Sequence, residues 1–345
     1  MSIEQFDPWL EVDGPVAVII REELEPVMGS DAVFFPPTFA APEGSDDPPG
    51  YLIDETGSGK VALVDTVGAQ ANRIEPIFKQ EPYSRLVPKA TVKIGEREVD
   101  LLDAGHRAAD AVIRFSDKWV VLRQAFLAIR DRRDATVLAK LAPTSLVFGV
   151  WDSRDTQVKL PRLVGSTIRA YNVEKLTRSA QFFSATEKDD IQELADQKFL
   201  SAVGLDDAPA GRTDGGVIAQ GGIRREAILN LVALRALTGP DADASRKLQR
   251  YVLGLALAAL LARSEKFLRQ GCLLVPRDGI QAEAKVVDRT GVRNALAVTE
   301  ESALAFAQEA ADAFGVGEPW TATFDKDAVR KASDKKKDDK AKKAK

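Results

Sequence analysis

Hydrophobic positions fall into short runs, and the polar and glycine-rich breaks between them are as informative as the runs. Residues 16–20 predict a strand that extends toward Leu24. Residues 29–50 are rich in Pro, Gly and Asp and predict a long loop. Residues 61–65 predict a strand, Thr66 a cap and 68–79 a helix. The order recurs as a strand at 99–102, Asp103 as cap and a helix over 105–113, with Asp65 expected to cap as well. Helices are expected at about 117–130 and 135–141, the second stopped by Pro143. The strongly apolar run 144–151 predicts a strand, 152–161 a polar loop, and 163–171 alternate as another strand.

Residues 186–203 predict a helix. The six glycines of residues 204–222 predict a flexible loop or an exposed hairpin. Residues 228–237 fit either a strand or a helix. Asp241 or Asp243 caps the longest helix, reaching about Leu268, and strands at 272–275 and 282–288 precede a helix over 300–314. The picture is α+β: one domain over residues 1–325, a central sheet with helices on it, and insertions at 29–50, 152–162 and 204–222. From Lys326 the chain is Lys, Asp and Ala with almost no apolar content, which predicts a disordered, solvated tail.

Composition narrows the function. One cysteine and one histidine exclude an internal disulfide and a zinc site built from those residue types. The opening segment carries acids and no Lys or Arg, unlike a secretory leader. The longest apolar stretch, 251–262, is too short to span a bilayer, so a cytoplasmic protein without membrane contact is expected. Net charge is -4 but uneven: residues 1–50 carry -10, and residues 59–185 carry +7. A basic middle in an acidic chain suits an anion-binding surface, although solvated faces fluctuate this much as well.

Catalytic motifs are incomplete. Gly57-Ser58-Gly59-Lys60 lacks the leading Gly and the trailing Ser or Thr of a P-loop. His106, the single imidazole, has no serine elbow to serve and reads as a helix-start histidine bonded to backbone or phosphate. Carboxylate metal candidates reduce to Asp31, Asp65 and Asp103, each with a plainer reading as loop acid or cap. No catalytic residue, metal or cofactor is therefore assigned.

Two segments suit RNA. In the first, Gly68 and Ala69 leave a helix start bare, and Gln70, Asn72 and Arg73 offer amides and a guanidinium to phosphate, 2′-hydroxyl and base edges. In the second, Trp151 stands beside Arg154, Lys159 and Arg162, an aromatic next to a cationic groove, and Arg169 and Arg178 extend it. His106 and Arg107, and Arg224 and Arg225 beyond the glycine-rich stretch, complete the candidates. The plainer alternatives are that Trp151 plugs the core edge, and that Arg154 and Arg162 pair with Asp152 and Asp155. No signature of an RNA-recognition motif with paired aromatics is present.

The segments LVDTVGAQANRIE (63–75), DAGHRAADAVIRFSD (103–117), LAPTSLVFGVWDSR (141–154), KLPRLVGSTIRAYNVEKLTRSAQF (159–182) and GGIRREAILNLVALR (221–235) resemble, in consistent order, the CRISPR-associated RAMP superfamily. The resemblance is to the Cas-seven-type backbone subunit of type I-U (I-G) interference complexes, or Cascade. It implies an RRM-like (ferredoxin-like) palm with large insertions as fingers and thumb. It further implies sequence-independent binding of crRNA, and copies polymerised head to tail into a filament presenting the guide to a target DNA strand in antiviral defence. The implied partners are a large subunit, the subunit that processes and caps the crRNA, and a separate helicase-nuclease. No catalytic residue is implied. Residues 204–222 with Arg224 and Arg225 are expected to form the inter-subunit thumb, with 152–162 as the alternative. A competing expectation is a metal-dependent endoribonuclease using Asp31. Another is a nucleotide-binding enzyme using Lys60.

Overall fold

The computed structural model describes residues 3–41, 43–44, 49–186, 191, 196–263 and 265–343. Its centre is an antiparallel sheet. The strands that matter are β1 (Ala17–Pro26), β2 (Gly59–Asp65), β3 (Val164–Tyr171), β4 (Val173–Phe182), β5 (Ala208–Ala219), β6 (Ile223–Asn230), β7 (Cys272–Pro276) and β8 (Glu283–Val287). β1 lies between β6 on one side and β7 and β8 on the other; β6 pairs β3, and β3 pairs β2. Helical segments, among them α1 (Val67–Ile74) and α2 (Trp119–Arg132), join β1 to β3, and others join β6 to β7. Taking β1, β3, β6 and β7/β8 as its four strands, this is the split βαβ path of the ferredoxin-like fold, with spatial order 4-1-3-2. The α+β class read from the residue pattern and the ferredoxin-like palm implied by the resemblance are both present.

One sheet face is buried. Val18, Ile20, Val164, Ala227 and Leu229 meet helices α3 (Ala242–Leu261) and α4 (Glu300–Phe314) in the larger core. α3 is apolar all round from Tyr251 to Leu260, as an interior helix must be. A methyl on Gly254 would lie 2.7 Å from Ala307 Cα, so glycine there sets how closely α3 and α4 approach. A smaller core holds Leu24, Phe34, Ile168, Ala170, Val217, Ile223 and Leu274 at the other end of the same face.

A polar chain runs between the two cores. Arg225 bridges Glu22 and the Ser166 hydroxyl, which donates to Gln70 Oε1 at 2.8 Å; Gln70 Nε2 donates to Asp65 at 2.7 Å. Arg73 and Arg269 close on the same Asp65. Every member has a partner, the condition under which a buried polar layer is tolerated.

Several local expectations are corrected. Residues 144–151 are a buried helix, Thr144–Phe148, followed by the two-residue strand Val150–Trp151, because an interior helix and an interior strand are equally apolar. The helix expected over 105–113 is broken into the 3-10 turn Arg107–Ala109 and Ala111–Arg114, capped by Asp110. Asp65 caps nothing: Thr66 caps α1 (Val67–Ile74) through Ala69 N, and the remaining helical turns, Glu75–Lys79, are 3-10 with Pro76 in the first. Asp100, not Asp103, caps the turn after the strand Arg97–Asp100; Asp103 pairs with Lys79. α3 stops at Leu261, and Lys266–Arg269 is a strand. Of the helix expected over 186–203, Gln197–Ala202 is present and the stretches 187–190 and 192–195 lie outside the described residues. Lys326–Lys343 is helical although its composition predicts no order; Lys, Ala and Arg are strong helix formers, and Arg330 pairs with Asp327 one turn away.

Candidate nucleic-acid interface

α1 begins where β2 ends, so its residues divide between the sheet and the surface. Gln70 is buried and fully used by Asp65 and Ser166, which corrects its expected role at an RNA surface: it links α1 to β3. Arg73 is partly exposed but tied by Nε to Asp65 and by Nη2 to the Leu268 carbonyl at 2.6 Å. Asn72 is exposed and lies beside Gly105 and Arg107.

Arg107 is also corrected. It is buried, with Nε donating to Glu75 at 2.8 Å, Nη1 to the Gly149 carbonyl at 3.3 Å, and its guanidinium over the Phe148 ring. Burial pushes the Glu75 carboxyl up and the Arg107 guanidinium down, each opposed by their mutual attraction. Arg107, with Glu75 buried behind it, forms part of the wall of a cleft.

That cleft, of about 490 Å³, is lined by Gly105, His106, Arg107, Gly149 to Trp151, Ser153 and Lys159 to Arg162. The chain thus brings together five candidates read from sequence: His106, Arg107, Trp151, Lys159 and Arg162. Its lining contains no Asp or Glu. Trp151 is 56% exposed and does not plug the core. Asp155 pairs with Arg123, and buried Asp152 with Arg114 and the Thr156 hydroxyl. Neither acid neutralises Arg154 or Arg162, both exposed. His106 is exposed beside Asp110.

The remaining candidates lie elsewhere. On the sheet face away from the helices, Arg21 pairs with Glu226 and Arg224 with Glu23, and Arg224 stacks over Tyr171. Arg169 holds the Thr167 hydroxyl on the same face. Arg224 and Arg225 are residues of β6 and belong to no flexible element. The stretch 204–222 contains β5, which pairs with β4 in a long hairpin arm; Arg178 on that arm lies over Phe35. The arm carries exposed Phe182 and Phe183, with Phe199 and Val203 exposed at the helix before β5. Beyond Val173, β4 is exposed along nearly its whole length and lacks the alternation that marks a half-buried strand, which is why only the glycines stood out.

Sequence reasoning missed a second cleft of about 490 Å³, where Arg73 and Arg225 meet Gln80, Arg263 and Glu265. Glu265, and the acids that pair with its three arginines, leave it far less cationic than the Trp151 cleft. Gly57–Gly59 is the turn of a hairpin, with Lys60 paired to Glu55, and no helix begins there as phosphate binding by a P-loop needs. Asp31 is exposed, and among the described residues no group of three His, Cys, Asp or Glu is placed to hold a metal. Also among the described residues, no helix is long and apolar enough to cross a membrane.

No curated protein matches the chain. Residues 18–175 match the family described as CRISPR-associated protein GSU0053, a span that runs from β1 through the whole Trp151 cleft to the start of the arm. Nearly half of this chain, including every residue that lines that cleft, is therefore similar to a CRISPR-associated family.

Proposed function

We propose that this chain is the crRNA-binding backbone subunit of a type I CRISPR interference complex. The observation that carries the reading is the cationic cleft without acids around Trp151, lying inside the span that is similar to a CRISPR-associated family. Lys159, Arg162 and Arg154 supply charge and His106 a ring N–H to phosphates, and contacts of that kind position a strand without reading its sequence. The open sheet face is occupied by internal ion pairs, so RNA is held by the insertions. Copies stack head to tail; two different surfaces that do not close into a ring generate a helical filament, and the apolar arm supplies one such surface. The guide so held pairs with a target DNA strand in the cytoplasm. The large subunit, the subunit that processes and caps the crRNA, and a recruited helicase-nuclease complete the machinery, and this chain breaks no bond.

Arg162→Ala is expected to weaken RNA binding across unrelated sequences and to flatten the slope of log affinity against log salt by less than about 1 unit. A loss confined to one RNA sequence would contradict backbone binding. The assembly should leave complementary RNA intact in Mg²⁺; regularly spaced cuts that disappear in Asp31→Ala would overturn the non-enzymatic reading.

A further inference from the structure

We infer that the Trp151 cleft seats one unstacked nucleobase of the bound strand, flat against the indole, in addition to holding phosphates. The inference rests on the RNA-binding reading and adds the part of the nucleotide that this site takes.

The ring is presented by a rigid device. Val150–Trp151 pairs with Lys159–Leu160, setting Trp151 directly opposite Lys159. The turn between them is braced: Asp152 Oδ2 accepts from the Thr156 amide and hydroxyl, and the Asp152 amide donates to the Val158 carbonyl at 2.9 Å. At its other end Gly149 adopts φ +80°, where a Cβ would meet Arg162 Cγ at 2.9 Å and the Leu160 carbonyl at 3.1 Å. The Gly149 carbonyl is held by Arg107. A large aromatic ring on so fixed a ribbon is ordinarily packed; this one is more than half exposed. Its one described ring partner is the Lys159 ammonium, 5.3 Å from the centroid.

That partner is exchangeable. An exposed ammonium over indole is a weak contact, and a base stacked on the same ring is a stronger one. Lys159 is then released to a phosphate of the same nucleotide. The volume falls in the range of single small-ligand clefts and has no room for a duplex. The alternatives satisfy less of the site. An acidic peptide would meet the cations and leave the ring bare, and a basic one would be repelled by the lining.

The test uses the full chain with a short oligouridylate and an abasic oligomer of equal length and charge. The wild-type protein should bind the oligouridylate about tenfold more tightly. Trp151→Ala should erase that difference by weakening only the oligouridylate, and Trp151→Phe should keep most of it. Equal affinity of the wild-type protein for both oligomers, or a Trp151→Ala variant that still discriminates, overturns the seat and leaves RNA binding standing. Failure to bind either oligomer at low salt overturns both.

Discussion

Arg107 holds a left-handed backbone conformation, φ 53°, and turns its guanidinium inward onto Glu75. Removing one member of a buried pair strands the other charge. Arg107→Met is therefore expected to lower the unfolding free energy by about 3–5 kcal/mol, read from urea midpoints. Adding Glu75→Leu should recover most of that loss; a double variant no more stable than the single one would show that the pair is not the cause. The residue type alone offered a cation for RNA. Its burial depends on a partner 32 positions earlier and on the break in the helix expected over 105–113, neither of which periodicity registers. Gln70 misled for the same reason: its partner Ser166 lies 96 positions away. Trp151, Lys159 and Arg162 were legible because one short ribbon carries all three.

At the scale of elements, the strands of the sheet were found where one face is buried and alternation is clean, as in β3, whose burial alternates residue by residue. The arm was not, since most of β4 is exposed. β4 continues β3 through Asn172, itself at φ 48°, and β5 leads into β6 through Gly221 and Gly222. The base of the arm is pinned by Tyr51, whose amide donates to Asp214 and whose hydroxyl accepts from Gly216. Thr177 and Asp214 face one another across it. Replacing the residues between them with a short Asn-Gly turn should leave the melting temperature within a few degrees of the parent, because both cores lie below that point. Guide-dependent assembly of several copies, followed by sizing, should be lost. Full-size assemblies from the shortened chain would remove the arm from the interface.

Over the whole molecule, two apolar cores share one sheet and are separated by the polar chain from Glu22 to Arg269. The uneven charge of the sequence has a place in this plan. The cationic cleft is built entirely from the basic middle of the chain, while the acidic first fifty residues supply Glu22 and Glu23, which hold Arg225 and Arg224 in the sheet. The C-terminal helix Lys326–Lys343 lies outside both cores, and its described side chains are exposed or half-buried. Truncation after Arg330 should leave the denaturation midpoint unchanged, since the described side chains it removes, Lys331 to Asp334, are exposed. A clear drop in the midpoint would mean that the basic helix packs on the domain.

The arm leaves the palm where the β3–β6 hairpin would otherwise turn, a site where chain can be added without shifting the register of that ladder. Lengthening it, shortening it or grafting a tag onto its end changes reach and leaves pairing alone. An engineer wishing to hang cargo from the protein thus has an anatomically marked place to do so.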